Sequence, residues 1–151
     1  METHRHVVPP LASKGHLTVN EKELREWGEK LGREVSSPLV IALTGDLGAG
    51  KTTLTQAICL GYGVREAVTS PTYSLVHRYD AERSAVYHVD LYRLENSSEL
   101  TNIGWDDLFT ERAIVIVEWP ERAGSRMPEG HLHIDLGYVP GDSSRRVLLA
   151  G

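Results

Sequence analysis

The chain has 151 residues, with 16 Lys and Arg against 21 Asp and Glu, for a net charge of −5 at neutral pH. That length suits one domain with a full core, burying roughly two-thirds of the surface its unfolded chain exposes, and the acidic balance argues against autonomous nucleic-acid binding, whose affinity comes mostly from phosphate contacts. A lone cysteine, Cys59, excludes an internal disulfide framework and suits a reducing, cytoplasmic setting.

No apolar run approaches the roughly 20 residues of a membrane span. The start, Met1 to Pro10, lacks an apolar signal core, so neither a membrane partner nor export is expected. Residues 1–15 are polar, proline-interrupted and aperiodic, which predicts a flexible tail ahead of a single domain over 16–151. His4, His6 and His16 have no spaced cysteine or carboxylate beside them and read as solvated side chains rather than metal ligands.

His16–Val19 is a short strand candidate. Asn20 then stands as an N-cap with Glu23 in the capping-box position, and Leu24, Trp27 and Leu31 mark one face of a helix expected to end at Gly32. Pro38–Thr44 is an apolar, partly β-branched run, short enough for a buried strand. It leads into Gly45-Asp46-Leu47-Gly48-Ala49-Gly50-Lys51-Thr52, which fits Gly-x-x-x-x-Gly-Lys-[Ser/Thr] at every fixed position. Each residue type there has a physical task. Glycines allow the tight turn that points successive N–H groups into one concavity. Lys51 reaches β- and γ-phosphates as a mobile charge, and the Thr52 hydroxyl suits Mg²⁺. A helix starting near Gly50 adds its positive dipole end; Thr53–Leu60 reads as that helix, with Leu54, Ala57 and Ile58 on its apolar face and Gly61 as the cap.

Ser70-Pro71-Thr72-Tyr73 offers hydroxyls and a rigid proline where a γ-phosphate-sensing switch would sit, although an ordinary turn has the same spacing. Ser74–Tyr79 and Ala85–Asp90, with the chain turning over the four residues Asp80–Arg83, predict a hairpin. Helical turns are expected from Ser97 and around Trp105–Phe109. Ala113–Glu118 is the second continuous β-branched run, as in a strand buried on both faces. His131–Val139 and Arg145–Ala150 read as two final strands separated by Pro140-Gly141-Asp142. The pattern argues a three-layer α/β domain of the P-loop NTPase type, with a mixed sheet, an antiparallel hairpin, and the runs 38–44 and 113–118 close together.

A nucleoside triphosphatase also needs a carboxylate at a strand end to hold Mg²⁺ opposite the loop hydroxyl, and something to place the attacking water. Asp90 and Glu118 both stand at strand ends, and Glu118 closes the more hydrophobic strand. Either alone could be an ordinary strand-terminal acid, but two such acids beside one phosphate loop weigh against that for the pair. His77 and His88 fall in strand patterns and read as structural; Trp27 and Cys59 read as core.

These motifs together resemble the TsaE (YjeE) family of small bacterial ATPases. The resemblance is carried by Gly45–Thr53, Ser70–Tyr73, Tyr87-His88-Val89-Asp90-Leu91-Tyr92-Arg93-Leu94, Glu99-Leu100 and Val117-Glu118-Trp119-Pro120-Glu121-Arg122, and covers about residues 17 to 150. It implies an ATPase that works with TsaB and TsaD to make threonylcarbamoyladenosine on tRNAs reading codons that begin with A. TsaD performs the transfer, and hydrolysis by the TsaB–TsaD-bound ATPase supports turnover. An acidic chain fits that role, since tRNA is reached only through partners. By the same resemblance Gly48, Ala49, Gly50, Lys51, Thr52 and Thr53 bind the phosphates of ATP, and Thr52 with Glu118 holds Mg²⁺. Asp90 is a further acid at the metal or the water, so that Lys51, Asp90 and Glu118 form the catalytic set. Ser70–Tyr73 is the switch, Trp119 an aromatic near the nucleotide, and Glu21 a residue beside the adenine.

Two other classes use the same loop. A small-molecule or nucleotide kinase needs an acceptor pocket and usually an arginine-rich lid, for which Glu121–Arg126 is short. A nucleotide-gated interaction module needs only binding.

Overall fold

The computed structural model describes residues 16–46, 48–69 and 75–151. The tail 1–15 and the Ser70–Tyr73 segment lie outside the described residues. The elements are β1 (His16–Asn20), α1 (Glu21–Glu34), β2 (Leu39–Gly45), α2 (Lys51–Tyr62), β3 (Val76–Asp80), β4 (Ala85–Asp90), α3 (Ser98–Asn102), α4 (Trp105–Leu108), β5 (Ile114–Glu118), β6 (Leu132–Val139) and β7 (Asp142–Ala150), with a 3₁₀ segment at Pro120–Arg126.

All the strands form one sheet in the order β1-β7-β6-β2-β5-β4-β3. The β-branched runs become its centre: β2 lies parallel to β5, with Ile41 opposite Ile116, and parallel to β6 on its other side, with Ile41 opposite Leu132. β4 continues the parallel set beside β5, and β3 folds back on it as the antiparallel hairpin. β7 returns antiparallel along β6, and β1 closes the far edge against β7.

Alternation along the strands sorts the core into two layers. Ile114 and Ile116 of β5 join Leu24, Trp27 and Leu31 of α1 and Leu54 and Ile58 of α2 on one face. Val115 and Val117 join Leu100, Trp105 and Leu108 of α3 and α4 on the other. Trp27 and Cys59 are core residues, as the apolar pattern predicts. Burial also pushes the Cys59 thiol up to about 12, which keeps it protonated and unreactive.

The capping box forms as expected: the Asn20 side chain accepts from the Glu23 N–H at 2.8 Å, and Glu23 accepts from the Asn20 N–H at 2.9 Å. Two helix ends differ from expectation. α1 runs two residues beyond Gly32 to Glu34, and α2 passes Gly61 to end at Tyr62, where Gly63 takes the left-handed cap with φ 108°. Gly32 and Gly61 are not terminators. They are the points where α1 and α2 touch through backbone. A Cβ at Gly32 would lie 2.1 Å from the Ile58 carbonyl oxygen, and one at Gly61 would lie 2.1 Å from that of Glu29. The close crossing fixes α2, which follows the glycine loop, against α1.

Candidate nucleotide-binding site

Three parallel strands end together. β2 runs into the glycine loop, β4 ends at Asp90 and β5 at Glu118, with Asp90 and Glu118 direct partners in the parallel register. Ligands in open α/β sheets gather at this carboxyl edge. The edge is braced by backbone hydrogen bonds, since the Leu91 N–H donates to the Glu118 carbonyl at 3.1 Å.

The loop's glycines are needed where the backbone demands them. Gly45 has φ 141° and passes so close to β6 that a Cβ would sit 2.3 Å from the Leu136 carbonyl oxygen; Gly50, the N-cap of α2, has φ 108°. Side chains are disfavoured in this left-handed region. α2 then starts at Lys51, with the Leu54 N–H donating to the Gly50 carbonyl at 2.9 Å. The first turn of a helix has N–H groups with no carbonyl inside the helix to receive them, and its dipole favours an anion there.

A cleft of ≈ 320 Å³ lies over this turn, lined by Gly48, Gly50, Lys51, Thr52, Thr53, Asp90, Tyr92, Glu118 and Trp119. Most of the residues singled out from sequence therefore meet in one place. A second cleft of ≈ 530 Å³ adjoins it through Gly48, Gly50 and Thr53, and holds Ala49 and Glu21 together with Asn20, Lys22, Leu24, Ser143, Ser144 and Arg146. Glu21 sits at the first position of α1, where its carboxylate meets Arg25 at 3.2 Å.

Lys51 is buried, with its ammonium donating to the carbonyls of Gly45 and Asp46 and lying 4.1 Å from the centroid of the Trp119 ring. Trp119 reaches that place from a left-handed backbone, φ 59° and ψ 50°. This conformation costs a non-glycine residue about 1 kcal/mol, and such strain collects at functional sites. Tyr92 packs against Trp119 with ring centroids 5.1 Å apart.

Asp90 and Glu118 project from paired positions on one face, and a shared environment follows. Burial, and then the neighbouring Glu118 charge, push the Asp90 carboxyl above its ordinary range, against the pull of the Tyr92 N–H, His88 and Lys51. Thr52, Asp90 and Glu118 together offer hard oxygen donors to one cleft, a donor chemistry that suits Mg²⁺.

Sequence reasoning missed two parts of this arrangement. His88, read as structural, is fully buried, and its Nε2 lies 2.6 Å from Glu118 Oε2. The signal was available: His88 and Asp90 are two apart on one strand and so share a face. Arg146 and Tyr138 flank the loop from the carboxyl-terminal hairpin, and nothing local in the sequence points to them.

Fold and site define the chain as a P-loop NTPase-like domain shaped to bind a nucleotide. The family model for "Threonylcarbamoyl adenosine biosynthesis protein TsaE" matches residues 18–147. The tRNA threonylcarbamoyladenosine biosynthesis protein TsaE of Haemophilus influenzae is 40% identical over 111 residues, 74% of this chain and 69% of that one. Its counterpart in Treponema pallidum is 34% identical over 129 residues, 85% of this chain and 94% of that one. The crystal structure of Bacillus subtilis YdiB superposes with a TM-score of 0.74 at 27% identity, covering 90% of this chain and 85% of that one. The chain belongs to the TsaE family.

Proposed function

We propose that the chain binds and hydrolyses ATP with Mg²⁺ in the synthesis of threonylcarbamoyladenosine on tRNA, in partnership with TsaB and TsaD. One observation carries this reading: a phosphate loop, two strand-end acids, a lysine and an aromatic converge on one cleft at the carboxyl ends of β2, β4 and β5. The family names of the relatives supply the pathway. The acidic balance, net −5, supports contact with tRNA through partners rather than directly. Residues 16–151 act as one unit in this reading.

Phosphates lie along Gly48–Thr53, where backbone N–H groups and the α2 dipole face negative charge. Lys51 exchanges its Gly45 carbonyl for phosphate oxygens and stabilises charge developing on the β/γ bridge. Thr52 and Glu118 hold Mg²⁺, and Asp90 orders the metal's water shell or the attacking water. Bound Mg²⁺ supplies neutralisation of phosphate charge. His88 holds the Glu118 carboxylate in place from behind. Trp119 steadies Lys51 from the ring face, and the adjoining cleft beside Glu21 takes the adenine end. No arginine finger stands among the motifs, so hydrolysis by the chain alone is slow and accelerates when partners complete the site.

Thin-layer analysis of γ-labelled ATP tests the reaction class. Labelled free phosphate is expected. A labelled organic product would make the chain a kinase and overturn the reading.

A further inference from the structure

A phosphate cradle works by turning its N–H groups inward, so its carbonyls must face outward and be received by something behind the loop. For Gly48 and Ala49 the receiver is a side chain from the far end of the sequence. The Nε of Arg146 donates to the Ala49 carbonyl at 3.0 Å and its guanidinium also reaches the Gly48 carbonyl at 3.4 Å, while a third donor holds Ser143 of the same hairpin at 2.8 Å. The guanidinium lies 4.5 Å from the centroid of Tyr138, its cross-strand partner in the β6–β7 register. The Tyr138 hydroxyl in turn stands 2.9 Å from where a Cβ of Gly48 would be. The planar fork of an arginine suits several carbonyls at fixed angles, and an aromatic face orients it.

We propose that Arg146, seated on Tyr138, is a positioning residue of the phosphate loop: it fixes the outward carbonyls of Gly48 and Ala49 and so preorganises the inward face that takes a nucleotide's phosphates. The phosphate half of this claim rests on the nucleotide reading above; the loop-ordering half does not. Preorganisation raises affinity by removing an ordering cost from binding. The guanidinium acts through the loop, so its effect belongs to any polyphosphate, with or without a base attached.

The test uses the full chain with Arg146→Ala and Arg146→Lys. Hydrogen exchange in the ligand-free protein should speed up tenfold or more at the amides of residues 48–53 in Arg146→Ala, while β2 and β5 amides keep their rates. Calorimetry with Mg²⁺ should show ATP and inorganic tripolyphosphate weakened by the same factor, about tenfold, the size expected for losing hydrogen bonds from a charged group. Arg146→Lys keeps the charge but loses the fork, and should recover only part of both effects. Unchanged loop exchange in folded Arg146→Ala overturns the proposal, and so does a loss confined to ATP, which would make Arg146 a contact to the base. Should Arg146→Ala not fold, Tyr138→Leu carries the same two readouts, and unaltered loop exchange there overturns it equally. A wild-type chain that binds neither polyphosphate sinks the nucleotide reading, and loop exchange alone then decides the positioning claim.

Discussion

Asp90 and Glu118 show at the residue scale how a site and a fold oppose each other. Burial raises the cost of charging Asp90, and the Glu118 carboxylate in register on the adjacent parallel strand adds repulsion. With its folded pKa raised, Asp90 releases its proton less readily folded than unfolded, so it lowers stability at pH values above that pKa. The penalty fades as pH falls through the raised pKa, because the folded chain then takes up the proton first. Asp90→Asn keeps the oxygen that accepts from the Tyr92 N–H at 3.0 Å. It should raise the melting temperature at pH 7, with the gain shrinking toward about pH 4, while abolishing hydrolysis. Melts across pH without metal check the first half. His88 has the opposite sign: His88→Ala leaves a buried carboxylate without its 2.6 Å partner. The expected cost is about 3 kcal/mol, a fall in melting temperature on the order of 10 °C for a chain this size.

Among the elements, α1 holds α2, the helix that follows the glycine loop. Their crossing depends on glycines whose absent side chains let backbone meet backbone, so Gly32→Ala should overpack the contact and cost about 3 kcal/mol in urea unfolding. Asn20→Ala, losing the capping box, should cost only about 1 kcal/mol by the same assay. The same glycines mark where sequence reading was limited. Gly32 and Gly61 look like helix stops because glycine is the ordinary cap, and only the neighbouring helix reveals them as contact points. The capping box, the glycine-loop motif, the β2 and β5 runs and the β3–β4 hairpin were legible because each is specified within a few residues by turn chemistry or periodicity. The union of Asp90, Glu118 and Lys51 followed from placing both acids at strand ends. Arg146 was not legible: it reaches Ala49 across 97 positions, and an exposed-looking arginine in a terminal strand has no local mark.

For the molecule as a whole, the sheet gathers three chain segments, around residues 48–53, 90–92 and 118–119, at one edge. No helix among the described residues is long and apolar enough to cross a membrane. Phosphate release measured with and without TsaB–TsaD decides whether this edge turns over ATP with Mg²⁺ for a partnered machine. Slow, Mg²⁺-dependent release is expected from the wild type, faster release with the partners, and none from Lys51→Ala in either condition. Wild-type chain that releases no phosphate with Mg²⁺ and both partners, or Lys51→Ala that releases it as fast as an active wild type, would rule out ATP turnover at this edge.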